Sequence, residues 1–241
     1  MHDSNRPSPN VDADEVAKFD ALAGRWWDPT GEFRPLHQIN PLRVNYIDEH
    51  APLREARVAD IGCGGGLLSE AMTRRGATVV GVDQARAALS VARQHAADSE
   101  LDIDYRETTA EDMAASSPGE FDIVTCLEML EHVPDPASVV RACHQLLKPG
   151  GRAFFATINR NPKAYALAII GAEYVLRLLP RGTHNYQMFI KPSELDAFAT
   201  DAGLVLEHII GLAYNPITQV YGLGPDVGVN YMMCCRRAES A

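Results

Sequence analysis

The run VADIGCGGGLLSEA at 58–71 restricts the possible folds of this chain more than any other stretch. It reads as a short apolar strand ending at Asp60, a turn carrying glycines at 62, 64 and 66, and the start of a helix. Glycine tolerates positive φ and lets a ligand approach the backbone closely. In an open α/β sheet, the carboxyl end of a strand is where ligands bind. A dinucleotide fingerprint of the form G-x-G-x-x-G would need glycine at 67, where this chain has Leu67. A pyrophosphate cradle, and with it a nicotinamide dehydrogenase, is therefore disfavoured. A ligand with an ammonium and a sulfonium but no phosphate gains instead from the nearby Asp60 carboxylate through charge-assisted hydrogen bonds. S-adenosylmethionine is such a ligand. Asp83 closes the second apolar run, where an acidic side chain accepts hydrogen bonds from both ribose hydroxyls. Either aspartate alone reads as a helix cap or a solvated charge. Together, in this strand context, they point to Asp60, Gly62, Gly64 and Asp83 as cofactor-binding residues.

Downstream of residue 57, short apolar runs alternate with helical periodicity, the pattern of βαβ units around a parallel sheet. Strands are expected at 57–61, 77–82, 102–107, 121–127 and 152–158, with helices at about 66–75, 85–98 and 136–147. Two late runs, 203–215 and 227–235, are joined by a Pro- and Gly-containing loop and suit antiparallel pairing. Upstream, a helix is expected to begin at Asp12 and reach about Gly24, and a second to occupy roughly 41–50 after Asn40 as cap and Pro41 at its first position. The expected fold is α/β and Rossmann-like, a seven-stranded, mostly parallel sheet with an antiparallel hairpin at its end and helices before it. At 241 residues one domain is expected. Residues 1–10 would be a disordered tail, 11–56 a helical cap, 57–158 the cofactor-binding core, 159–192 an apolar insertion and 193–241 the closing strands.

The formal charge of −10 opposes binding to phosphate backbones, so no nucleic-acid partner is expected. The five cysteines follow no C-x-x-C spacing and the first residues lack an apolar leader, which points to reduced thiols in the cytoplasm. The segment KAYALAIIGAEYVLRLLP at 163–180 is apolar around nearly its whole circumference. It is too short and too charged to cross a bilayer, which takes roughly 20 apolar residues. A buried helix and an interfacial lid that touches lipid both remain open readings.

Glu128, Glu131 and His132 follow the fourth strand at spacing i, i+3 and i+4, at the sheet end where the cofactor belongs. On a helix all three would point to one side. Two carboxylates and an imidazole suit Mg²⁺, Mn²⁺ or Zn²⁺, and His132 alone suits a general base. A structural role, with Glu128 capping backbone amides and Glu131 solvated, is the third reading.

The order Asp60-x-Gly62-x-Gly64, then Asp83, then FDIVTCLEMLEHV resembles the class I S-adenosylmethionine-dependent methyltransferases. That resemblance implies a contact to the adenine edge from Glu111 or Asp112 and a cofactor-lining role for Leu127. The Glu-x-x-Glu-His arrangement is similar to that of the small-RNA 3′-end methyltransferases, in which a later histidine completes a metal site; His184 is the corresponding candidate here. The flanking segments KFDALAGRWWDPTGEFRPLHQINPLR, CLEMLEHVPDP, GTHNYQMFIKP and GLAYNPIT resemble the bacterial ubiquinone-biosynthesis O-methyltransferases over almost the whole chain. This implies Arg43 as a cofactor contact and two catechol-like acceptors, a 2-polyprenyl-6-hydroxyphenol and 3-demethylubiquinol. It also implies peripheral association with the inner face of the cell membrane, with a ubiquinone-biosynthesis complex as a possible partner assembly. Methylation of another catechol or an RNA terminus, and a cofactor-binding scaffold without chemistry, are the rival functions.

Overall fold

The structure, a computed structural model, describes residues 10–166, 186–215 and 217–239. These residues build one eight-stranded sheet in the order β3-β2-β1-β4-β5-β8-β6-β7. Its parallel part comprises β1 (Arg57–Ile61), β2 (Thr78–Asp83), β3 (Asp104–Glu107), β4 (Phe121–Leu127) and β5 (Leu147–Ile158). Antiparallel pairing then joins β5 to β8 (Asn230–Arg237), β8 to β6 (Leu204–Asn215) and β6 to β7 (Val220–Gly224). Seven strands were expected; the eighth is β7, inside the segment read as a loop. Gly222 and Gly224 supply no side chain to pack, so the run carries little strand signal in the sequence.

Residues that alternate along the strands divide the core between two faces. Val124 and Phe155 pack beneath α6 (Pro136–Leu146) and α8 (Pro192–Asp201), against Val140, Cys143 and Leu195. Their neighbours Ile123 and Phe154 face α2 (Arg34–His50), against Val44, Tyr46 and Ile47. The remaining helices are α1 (Ala13–Leu22), α3 (Leu67–Thr73), α4 (Arg86–Asp98), α5 (Ala110–Ser116) and the single turn α7 (Pro162–Ala164).

Two expectations about the N-terminal region need correction. Helix α2 begins at Arg34, with Pro35 in its first turn, and carries Pro41 in its interior. An interior proline removes a helical hydrogen bond and costs about 3 kcal/mol; here the helix persists because Ile39, Val44, Tyr46 and Ile47 are buried along it. Asn40 is accordingly not a cap. It is buried, and its side-chain amide donates to the Leu67 carbonyl at 2.9 Å, tying α2 to α3. All five cysteines are buried and unpaired. No helix among the described residues is long and apolar enough to cross a membrane, and most of 163–180 lies outside those residues.

Candidate active site

The glycine turn is fixed from three sides. Gly62 and Cys63 donate their backbone N–H groups to the Val82 carbonyl at 2.8 and 3.0 Å, which presses the turn against β2. Gly64 donates to the Asp83 carboxylate at 2.8 Å, and the other oxygen of that carboxylate accepts from Ala85 at 2.8 Å. Gly62, Gly64 and Gly66 have φ of +73°, +52° and +87°, which any larger residue adopts only under strain. At Gly64 there is also no space: a Cβ there would lie 2.1 Å from the Trp26 ring.

Asp60 sits at the end of β1 and is 2% exposed. Ser69 and Thr125 donate their hydroxyls to its two oxygens at 2.6 and 2.7 Å. Burial pushes its carboxyl up to about 6 against those two hydrogen bonds. Burial likewise raises Asp83, over the opposing backbone donors of Ala85 and Gly64. Two desolvated acidic groups beside one turn, at the ends of β1 and β2, leave a site that a cationic ligand would relieve.

A cavity of about 850 Å³ opens above this turn, at the upper end of the usual range for small-molecule sites, roughly 300–1,000 Å³. Of the residues expected from sequence, Arg43, Asp60, Gly62, Gly64, Asp83, Glu111 and Leu127 line it, as do Glu128, Glu131 and His132. Asp112 does not: it is exposed on α5, and Glu111 alone of that pair faces the cavity. His184 lies outside the described residues.

The expected helical juxtaposition of Glu128, Glu131 and His132 is not formed. Glu128 takes a left-handed φ of +54°, and a 3₁₀ turn begins only at Leu130. The three side chains consequently engage three different partners. Glu128 pairs with Arg43. Glu131, buried, accepts from the Thr157 hydroxyl at 2.8 Å, and its proton is held well above the usual carboxylate range by burial first and then by the Glu128 carboxylate. His132 turns Nδ1 to the Glu15 carboxylate at 2.8 Å, and among the described residues Nε2 has no hydrogen-bond partner on the cavity side. No group of three or more His, Cys, Asp or Glu placed to hold a metal occurs among the described residues.

The N-terminal helices roof this cavity. Trp26 lies over Gly64 and Gly65 and stacks on Phe33 with ring centroids 4.1 Å apart. Trp27 faces away, donating its indole N–H to the Gly65 carbonyl at 2.9 Å and stacking on His95 at 3.4 Å. Of the aromatic residues near the N-terminus, Trp26 thus covers the turn and Trp27 fastens the cover. Glu15, Ser69 and Thr125 were missed by sequence reasoning. Glu15 sits in the first turn of a surface helix and carries no local signal; Ser69 and Thr125 carry no motif, and they are revealed only by the turn of α3 that brings Ser69 back to Asp60 and by the register of Thr125 opposite it.

A family profile described as a methyltransferase domain matches residues 59–155. A ubiquinone biosynthesis O-methyltransferase of Stutzerimonas stutzeri is 67% identical over 93% of this chain and 97% of its own length. The protein of the same name from Azotobacter vinelandii is 62% identical over 95% and 99%. Among solved structures, a magnesium protoporphyrin IX methyltransferase from Synechocystis with bound S-adenosylhomocysteine covers 93% of this chain and all of its own, at 18% identity and a TM-score of 0.66. That last likeness concerns the fold.

Proposed function

This chain belongs to the ubiquinone biosynthesis O-methyltransferases, which are S-adenosylmethionine-dependent enzymes, and from that premise we propose that it methylates a phenolic oxygen on two acceptors, 2-polyprenyl-6-hydroxyphenol and 3-demethylubiquinol. The observation that carries this reading is one cavity holding both the acidic glycine turn and, beside it, the His132 imidazole with Nδ1 already engaged. Asp60 and Asp83 anchor the methionyl and ribosyl parts of the donor, Glu111 takes the adenine edge, and Arg43 the donor carboxylate.

A phenol, with a pKa of about 10, is mostly protonated at neutral pH. His132 takes the phenolic proton on Nε2 while the oxygen attacks the sulfonium methyl in line. The new O–C bond forms as the C–S bond breaks, and its electron pair returns to sulfur to give the neutral thioether S-adenosylhomocysteine. Alignment of oxygen, carbon and sulfur is the cavity's main contribution, since holding reactants in near-attack geometry is worth up to about 7–11 kcal/mol.

A second reading adds Mg²⁺, and one observation favours it. Burial first, and then the neighbouring Glu128 carboxylate, raises Glu131, and a divalent cation would offset the repulsion between the two carboxylates. On this reading Glu128, Glu131 and His132 would have to leave Arg43, Thr157 and Glu15 to hold the ion together with His184, and it would then stabilise the acceptor oxyanion as a Lewis acid.

The polyprenyl tail requires an apolar path, and Leu212, Tyr214 and Tyr221 wall the cavity on the side of β6 and β7. We place the protein in the cytoplasm at the inner face of the cell membrane, with 163–180 contacting lipid or a partner of the same pathway. The test is transfer of a labelled methyl group from S-adenosylmethionine to a short-chain prenyl catechol. Label on a phenolic oxygen is expected; its absence with and without added Mg²⁺, on protein that binds the donor, overturns the reading. On the second reading, EDTA lowers the rate more than about tenfold, with recovery on adding Mg²⁺, given what removal of a Lewis acid worth several kcal/mol costs. An unchanged rate in EDTA eliminates the cation and leaves His132 as the sole base.

A further inference from the structure

We propose that Glu15, on the roofing helix α1, is a positioning residue that orients His132, so that the proton-accepting nitrogen is presented only when that helix is docked. The inference rests on the role given to His132 above. Its geometric basis is a side-chain pair that bridges 117 positions of sequence. The Glu15 carboxylate meets His132 Nδ1 at 2.8 Å. One turn further along α1, Phe19 meets the same imidazole edge to face, with centroids 5.2 Å apart and planes at 90°. Both of these contacts to the ring come from α1, where the Glu15 carboxylate is also paired with Lys18 one turn on and Phe19 also packs beside Trp26 at 6.3 Å.

The other contacts of α1 are substantial. Asp20 accepts from the Ala87 backbone at 2.8 Å at the start of α4. Just before α1, the Asn10 side chain both donates to the Asp135 carbonyl and accepts from the Asp135 N–H, each at 2.8 Å, and donates to Glu111 at 3.0 Å. The helix is thus held at both ends by hydrogen bonds to elements of the cofactor site, and Glu15 projects between them toward His132.

A carboxylate on Nδ1 selects the tautomer with a proton on that nitrogen and a lone pair on Nε2. It also stabilises the imidazolium that forms once the phenolic proton has moved, without itself taking that proton. If Nε2 instead serves a cation, the same carboxylate fixes which ring nitrogen faces it. Under either chemistry, a raised α1 leaves a histidine free to rotate and to present the wrong nitrogen. This joins covering the donor to arming the base: S-adenosylmethionine beneath a lifted roof meets no competent proton acceptor.

The test is a double-mutant cycle of Glu15→Leu with His132→Ala, read as kcat and KM in the prenyl catechol assay, with Glu15→Gln as the conservative control. Loss of a carboxylate behind a functional histidine costs about 10–100-fold. Glu15→Leu is expected to lower kcat by that factor while leaving KM for S-adenosylmethionine within about twofold. Glu15→Gln keeps an oxygen acceptor for the Nδ1 proton and should recover most of the loss. In the His132→Ala background, Glu15→Leu should cost nothing further, because its effect has no route left. An equal loss in both backgrounds overturns the inference, as does a rise in KM matching the fall in kcat, since either marks a role in holding the helix. A His132→Ala enzyme that works at full rate overturns the assignment of His132 first and this inference with it, whereas a slow His132→Ala enzyme with additive Glu15→Leu loss overturns this inference alone.

Discussion

Replacing His132 with alanine should lower kcat by about 10²–10⁴-fold, the usual contribution of a positioned general base, while S-adenosylmethionine affinity stays within a fewfold. The split follows from the geometry. His132 stands at the edge of the cavity, its side chain 16% exposed and held by Glu15 and Phe19, whereas the turn that grips the donor is braced by Asp83 and Val82 and does not involve it. The imidazole is largely buried and its contacts to Glu15 and Phe19 are lost with it, so a stability loss of about 1–3 kcal/mol accompanies the change and kcat is read below the shifted melting transition. Radiolabel transfer gives kcat and calorimetry gives the affinity. A kcat within about threefold of the parent enzyme removes His132 from the chemistry.

Asp60→Asn should make the unliganded protein more stable at neutral pH and a poorer binder of its donor. With its carboxyl pushed up to about 6 in the folded chain from an ordinary 3.8, the folded state retains between those values a proton that the unfolded state has released. Stability from this group is therefore full below pH 4, falls as pH rises through 4 to 6, and stays reduced above. At about 1.4 kcal/mol per pKa unit the cost at pH 7 is roughly 3 kcal/mol. Asparagine avoids it, and its amide can still meet the Ser69 and Thr125 hydroxyls. The expected gain in Tm is on the order of 5–10 °C at pH 7, shrinking as the pH is lowered toward 4. The same change removes the negative charge that the proposed donor site sets against the sulfonium and ammonium groups, and a charge-assisted contact of about 1.5–3 kcal/mol predicts an affinity loss of roughly 10- to 100-fold. Scanning calorimetry at pH 7 and pH 4.5 and a titration with S-adenosylmethionine read both effects. A variant destabilised at pH 7 would contradict the account of Asp60 as a strained, ligand-awaiting carboxylate.

The legible part of the fold was the part with period-two and period-3.6 patterning. β1, β2, β4 and β5, together with α3, α4 and α6, could be read from runs such as RVADI and FDIVTCL, because parallel strands buried on both faces are nearly continuous in apolar residues. β7 could not, since two of its five residues are glycine. The beginning of α2 was hidden by Pro41, whose penalty inside the helix is outweighed by burial of residues that only the assembled sheet provides, while Pro35 sits in the first turn, where proline is tolerated. At the site, the glycine turn and Asp60 were readable because their spacing along one strand, turn and helix is itself the geometry, and Asp83 because it closes the adjacent strand β2. The contacts of Glu128, Glu131 and His132 were not, because a left-handed residue at Glu128 breaks the helical spacing on which their juxtaposition depended. Glu15 was beyond reach in the same way: its partner lies 117 positions away, and no local pattern encodes that distance.

The most direct measurement is an isothermal titration of the folded protein with S-adenosylhomocysteine, with NAD as the control. Saturation at one molecule per chain, with no heat from NAD, is the expected result if the turn from Gly62, between Asp60 and Asp83, holds an adenosyl thioether or sulfonium. Well-folded protein that gives no heat with S-adenosylhomocysteine, or that binds NAD in its place, would contradict it.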